Sequence, residues 1–262
     1  MTDVLLTNDD GYESPAFVAL VKAVAAEFSV VSVAPRGERS WIGKSITADR
    51  QLNLDTRRID GLDVFVLDGT PSDCAQIGLY NILDELPRML VSGVNLGLNS
   101  GHGRILCSGT VGAAAEAAIA GVKAIASSFY IPPHAADEHG RLAPEHFDVL
   151  ENMAQITTKV VRIFVDREFD GFDLISLNIP FEAGPSSEFH ITAPHRAPYG
   201  RLFHGDGRTF RHKVPPIEFP QGEPDTDLGA LGDGKVSITP ISLGLTRTDC
   251  FDALRRTIGN QW

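Results

Sequence analysis

Cysteine is scarce in this chain, and its distribution excludes two kinds of scaffold. The three cysteines, Cys74, Cys107 and Cys250, are odd in number and far apart. That is neither a disulfide framework nor a zinc pattern, and it suits a reducing compartment. Basic residues are also in deficit: 23 Lys and Arg against 34 Asp and Glu leave a formal net charge of −11. A surface that coats a nucleic-acid duplex needs clustered basic side chains, so no such partner is expected. An anionic small substrate stays open, because a bound cation inverts the local field. No apolar run approaches the roughly 20 residues of a membrane span, and the first residues enter a strand with no basic, then apolar, leader. A cytoplasmic protein without a membrane partner is the expectation.

What the chain does have is 262 residues, 43% of them hydrophobic, enough for one large domain or a domain with an extension. The chain is organised around Val4-Leu5-Leu6-Thr7-Asn8-Asp9-Asp10-Gly11. Three apolar residues and a threonine read as a buried strand that breaks into an amide, two adjacent carboxylates and a glycine. Ser14 and Pro15 are suited to cap and open a helix, and Phe17, Leu20, Val21 and Val24 follow at helical spacing. Strand, acidic loop and helix form the first unit of an α/β sheet, whose ligands bind at the carboxyl ends of strands. Neighbouring carboxylates repel, and a hard divalent cation such as Mg²⁺ is the simplest reason to keep Asp9 and Asp10 together. The alternative is local: Asn8 and Asp9 in an Asx turn, with Asp10 capping the helix.

Further strands are predicted at 29–34, 88–92, 123–129, 173–177 and 236–241, with short strand-like runs at 46–48, 52–54 and 64–67. Helices are predicted over 71–84, 111–120, 145–167 and 249–258. Loop 36–45 holds Ser40, a hydroxyl that in isolation is most simply solvated. Thr70, Pro71 and Asp73 are suited to a well-made helix start. Residues 93–103 hold four glycines in eleven positions and read as a loop whose backbone approaches something closely. In it Asn95 can present an amide oxygen to a metal, and His102 is either an acid–base group or an exposed loop histidine. Ser108-Gly109-Thr110 opens an alanine-rich helix, offering phosphate free N–H groups and hydroxyls, or simply capping the helix. The βα alternation predicts a Rossmann-like, doubly wound, mostly parallel sheet over 1–180. Residues 181–235, rich in Pro and Gly, read as an extended arm or hairpins used in oligomerisation. Residues 236–262 return as a strand and helix to the core or to a partner.

Four loops then share one end of one sheet, carrying Asp9 and Asp10, Ser40, Asn95 and Ser108–Thr110. The sequence here resembles the survival protein SurE family of metal-dependent nucleoside monophosphate phosphatases. The matching stretches are Thr7–Gly11, Arg39-Ser40 with Ser45–Thr47, Asp68–Cys74, Val91–Gly97, Ser108–Ala114, Asn178–Pro180 and Val236–Pro240. Seven motifs in order run nearly end to end. The resemblance implies Mg²⁺ or Mn²⁺ at Asp9, Asp10, Ser40 and Asn95. It implies hydrolysis of 5′- or 3′-nucleotides, with polyphosphate as a side substrate, and an exchanged arm building a homodimer or homotetramer. Trp41 and Cys107 depart from the family pattern, which has a small residue and an aromatic there, and both are expected to border the substrate. The chemistry also stands on the residues: Asp9 and Asp10 with a metal, and Asn8, Ser108, Gly109 and Thr110 holding phosphoryl oxygens. The runner-up is a non-catalytic nucleotide-binding sensor on the same fold, and a sugar-nucleotide transferase lacks an obvious second sugar site.

Overall fold

The computed structural model describes residues 2–259 apart from 197, 199 and 247. A nine-stranded sheet runs through it in the order β3-β4-β2-β1-β5-β6-β7-β11-β8. The strands are β1 Val4–Thr7, β2 Val30–Pro35, β3 Leu54–Ile59, β4 Leu62–Leu67, β5 Met89–Leu96, β6 Lys123–Phe129, β7 Leu174–Ile179, β8 Phe189–Ile191 and β11 Val236–Ile241. From β4 through β7 every pairing is parallel; β3 on β4 and β11 on β7 are antiparallel. The expected mostly parallel, Rossmann-like sheet is present.

The centre of the sheet alternates between two packed faces. In β1, Val4 and Leu6 join one core with helix α1 (Pro15–Ala25) and helix α5 (Val149–Phe164). Leu5 turns to the other face, against helix α2 (Pro71–Ile77) and helix α4 (Gly109–Ile119). This is the period-two geometry of a strand buried on both sides. Phe17, Leu20, Leu5 and Leu6 are fully buried, each contributing about 1.5–3 kcal/mol.

Several predicted elements shift. The helix expected over 71–84 is α2 followed by a π turn at Gly78–Ile82. Gly78 lies against β1, where a Cβ would come within 2.8 Å of Leu5. Residues 46–48 form no strand, because Thr47 is tied to Asp73 by its N–H at 3.0 Å and its hydroxyl at 2.6 Å. The glycine-rich loop is partly regular: β5 continues to Leu96, and Gly101–Cys107 forms helix α3. Asp227, 126 residues on, accepts the Gly101 N–H at 2.6 Å, so that helix start is a tertiary product. Within 181–235, β8 extends the sheet, β9 (Phe203–Gly205) and β10 (Phe210–His212) form an exposed hairpin, and helix α6 spans Asp227–Gly232. Leu228, Leu231, Ile217 and Phe219 pack back onto Leu98. Helix α7, Phe251–Ile258, closes the described chain.

Candidate metal and phosphate site

Strand order creates the site. After β1 the chain winds to β2 and β4 on one side, then restarts on the other side of β1 with β5. The crevice beyond the carboxyl ends of β1 and β5 is therefore the topological switch point, where open α/β sheets bind ligands. Asp9 and Asp10 follow β1, and Asn95 lies near the end of β5. All three line a cavity of about 620 Å³, together with Ser40 and Ser108.

The acidic loop is held by its neighbours. Asn8 closes the turn by donating from Nδ2 to the Gly11 carbonyl at 2.8 Å. Gly11 has φ +98, and a Cβ there would meet Gly37 Cα at 2.9 Å, so glycine answers both backbone and space. Arg39 N–H donates to the Asp9 carbonyl at 2.7 Å, which draws loop 36–45 and Ser40 to the aspartates. Ser40 Oγ donates to Glu38 at 2.7 Å. Asn95 donates its Nδ2 to the Gly97 carbonyl at 2.5 Å, which directs its amide nitrogen into the loop.

The start of α4 holds Asp9. Thr110 donates to Asp9 twice, from its hydroxyl at 2.7 Å and its backbone N–H at 3.1 Å. A Cβ on Gly109 would meet the Asp9 Cβ at 3.0 Å, so a small residue permits this approach. Ser108 caps α4, accepting from Val111 N–H at 3.0 Å, and it also faces the cavity. The structure thus differs from the expectation of a Thr110 hydroxyl presented to phosphate: that hydroxyl is committed to the carboxylate behind the cavity. Ser14 occupies the N-cap of α1 but makes no capping bond, and Asp10 caps nothing; it accepts the Leu96 N–H at 3.0 Å. Asp73 is the helix-start residue the sequence suggests, in a reciprocal capping box with Thr70.

Asp9 and Asp10 are electrostatically uncompensated. Burial pushes both carboxyls above the usual carboxylate range; the Asp9 charge raises Asp10 further, and Glu38 adds to both. No basic side chain bonds either carboxylate among the described residues, and the buried Oδ1 of Asn8 has no hydrogen-bond partner. No group of three His, Cys, Asp or Glu able to hold a metal exists among the described residues. A cation at Asp9 and Asp10 would take its further oxygens from neighbours in the cavity, among them the Ser40 hydroxyl and the Asn95 amide. This all-oxygen set fits Mg²⁺ or Mn²⁺.

His102 is exposed beside the His195 carbonyl and does not line the cavity. Trp41 and Cys107 both line it. Trp41 has φ +60 and sets its ring 4.7 Å from that of His212 on the hairpin. Sequence reasoning passed over Glu38, Arg104, His139 and Arg141, which also line the cavity. They carry no local motif: Glu38, His139 and Arg141 reach the site on loops, and Arg104 on helix α3.

A family model described as Survival protein SurE matches residues 4–201. Among curated relatives, a 5′-nucleotidase SurE of Archaeoglobus fulgidus is 35% identical over 95% of this chain and 94% of its own. A protein of the same description from Moorella thermoacetica is 36% identical over 99% of this chain and 97% of its own. The crystal structure of the SurE protein from Aquifex aeolicus superposes with a TM-score of 0.78 at 29% identity, covering 97% of this chain and 99% of that one.

Proposed function

The chain belongs to the survival protein SurE family, and from that premise we propose that it is a metal-dependent phosphomonoesterase that converts nucleoside monophosphates to nucleoside and phosphate. The observation that carries this reading is the Asp9–Asp10 pair, Asp9 buried and Asp10 partly so, with no cationic side-chain partner among the described residues, at the switch-point cavity. The relatives described as 5′-nucleotidases support 5′-nucleotides as the principal substrates. Activity on 3′-nucleotides and on polyphosphate belongs to the same proposal.

Asp9, Asp10, Ser40 and Asn95 would hold Mg²⁺ or Mn²⁺. When bound, the cation supplies positive charge at the phosphoryl oxygens and polarises the group under attack. The chain's own residues do the positioning. Thr110 fixes the rotamer of Asp9, Leu96 N–H fixes Asp10, and Asn8 holds the turn that presents both. Ser108 and the backbone at Gly109 are proposed to meet the phosphate oxygens at the mouth of α4. Water forms the new bond to phosphorus, the ester P–O bond breaks, and the leaving sugar oxygen takes up a proton.

We also propose a homodimer or homotetramer joined through 181–235, and a cytoplasmic location. No helix among the described residues is long and apolar enough to cross a membrane. The deciding experiment measures phosphate release from a panel of nucleoside monophosphates with Mg²⁺, with Mn²⁺ and with chelator. Metal-dependent release is expected. Nucleotide binding without release would favour a sensor, and full activity in a sample shown metal-free by elemental analysis would remove the metal from the reading.

A further inference from the structure

The cavity is unevenly charged. Asp9, Asp10, Glu13 and Glu38 supply its carboxylates, and Arg104, His139 and Arg141 its basic side chains. Two of the basic groups already have carboxylate neighbours: Arg141 lies 3.1 Å from Asp137, and His139 lies 3.5 Å from Glu138. Arg104 has none. Among the described residues its guanidinium makes no hydrogen bond or ion pair, although the side chain is half-buried. The carboxylate whose charge acts on it, Asp227, is spent elsewhere. Its oxygens accept from Gly101 N–H at 2.6 Å, His195 N–H at 2.9 Å and Leu228 N–H at 2.8 Å.

A half-buried guanidinium without a hydrogen-bond or ion-pair partner among the described residues loses hydration, and the Asp227 charge offsets only part of that cost. Here the cost is enforced by structure. Asp227 anchors the first residue of α3, and Ile105 is buried, so Arg104 is carried into the cavity wall. It also lies beyond ion-pair distance of all four cavity carboxylates. An arginine serving the scissile phosphate would sit among Asp9, Asp10 and Glu38 and pair with them when substrate is away. Arg104 forms no such pair among the described residues, which favours an anion other than the scissile phosphate.

We infer that Arg104 forms a second phosphate subsite, which selects nucleosides carrying one phosphate at the aspartate pair and another across the ribose, as in nucleoside 3′,5′-bisphosphates. This rests on the phosphomonoesterase reading of the same cavity. The guanidinium offers a planar fork of donors that matches a phosphate's oxygens. In the reaction, water adds to the phosphorus held at the aspartates, that ester P–O bond breaks, and the leaving sugar oxygen takes a proton. Inorganic phosphate and a nucleoside monophosphate result, and the retained phosphate stays on Arg104 throughout.

The test compares adenosine 5′-monophosphate with adenosine 3′,5′-bisphosphate as substrates for the wild type, Arg104→Gln and Arg104→Lys, with melting temperatures recorded for each. The wild type should show a KM for the bisphosphate lower by about tenfold or more, the scale of one charge-assisted hydrogen bond. Arg104→Gln should erase that preference while leaving kcat/KM for the monophosphate within about twofold, and Arg104→Lys should keep part of it. An unchanged preference overturns the proposal. So does an equal loss on both substrates, which would put Arg104 on the scissile phosphate. If the wild type releases phosphate from neither nucleotide, the hydrolytic reading fails by itself, and calorimetric binding of the bisphosphate decides the subsite. Tighter binding by wild type than by Arg104→Gln then supports it, and equal binding overturns it.

Discussion

Thr110 and Asp9 lie 101 residues apart in sequence, yet two hydrogen bonds join them across the mouth of α4. Removing the hydroxyl at nearly constant volume should leave Asp9 with one donor and a loosened rotamer. Thr110→Val should therefore lower kcat/KM for a nucleoside monophosphate by about tenfold or more with little change in melting temperature. Unchanged kinetics would show that this contact does not matter for catalysis. Asp9→Asn should abolish hydrolysis and leave the metal-free protein as stable as wild type or more so, since it removes the repulsion with Asp10. Wild type should melt higher when Mg²⁺ or Mn²⁺ is added, following mass action on the native state, and the variant should lose most of that shift. Near-normal activity with an intact metal shift in Asp9→Asn would return Asp9 to a turn-forming role. The pair also predicts a pH slope. Asp9 is raised to about 6 and Asp10 to about 7, from 3.8 in an unfolded chain. Between those limits the native state binds more protons than the unfolded state, so this contribution to stability falls as pH rises. Metal-free wild type should thus lose stability between pH 4 and pH 7 relative to Asp9→Asn, and saturating metal should remove the difference.

At the scale of elements, regular structure and site are joined by a few long connections. Asp73 caps α2 and at the same time accepts from Thr47 N–H, Thr47 Oγ1 and Thr70 N–H at 3.0, 2.6 and 2.8 Å. Asp73→Ala leaves those donors without acceptors and should cost about 2–3 kcal/mol, read as a melting temperature lower by several degrees. Denaturant titration checks it, and a neutral result would mean that water replaces the carboxylate in full. The sequence shows Asp73 as a helix-start residue because capping is local, three positions from Thr70. Its hold on Thr47 spans 26 residues and could not be read from spacing. The same distinction separates α4, legible from its alanine run and Ser108, from α3, whose start depends on Asp227.

At the scale of the molecule, the C-terminal third leaves apolar surface open. Ile191 is 65%, Phe203 57%, Phe210 61% and Leu245 98% exposed. Exposed apolar side chains such as these are compatible with the proposed association through 181–235. Light scattering at micromolar concentration should report a dimer or tetramer; a monodisperse monomer would contradict the proposed role of 181–235. The stretch is not only an arm, since Leu228, Leu231, Ile217 and Phe219 pack with Leu98, and Val214 and Ile217 line the cavity.

The strand alternation, the acidic turn after β1 and the helix starts at Thr70 and Ser108 are properties of neighbouring residues. Burial period, capping and charge act over a few positions, so the chain by itself determines them. The tertiary structure alone decided which loops meet. Strand order set β5 beside β1 and so made the switch-point crevice. It turned Thr110 onto Asp9, and it carried Arg104 into a cavity wall where it forms no ion pair among the described residues. Those are contacts between residues distant in sequence, and their energies depend on burial and mutual distance, which no local pattern records.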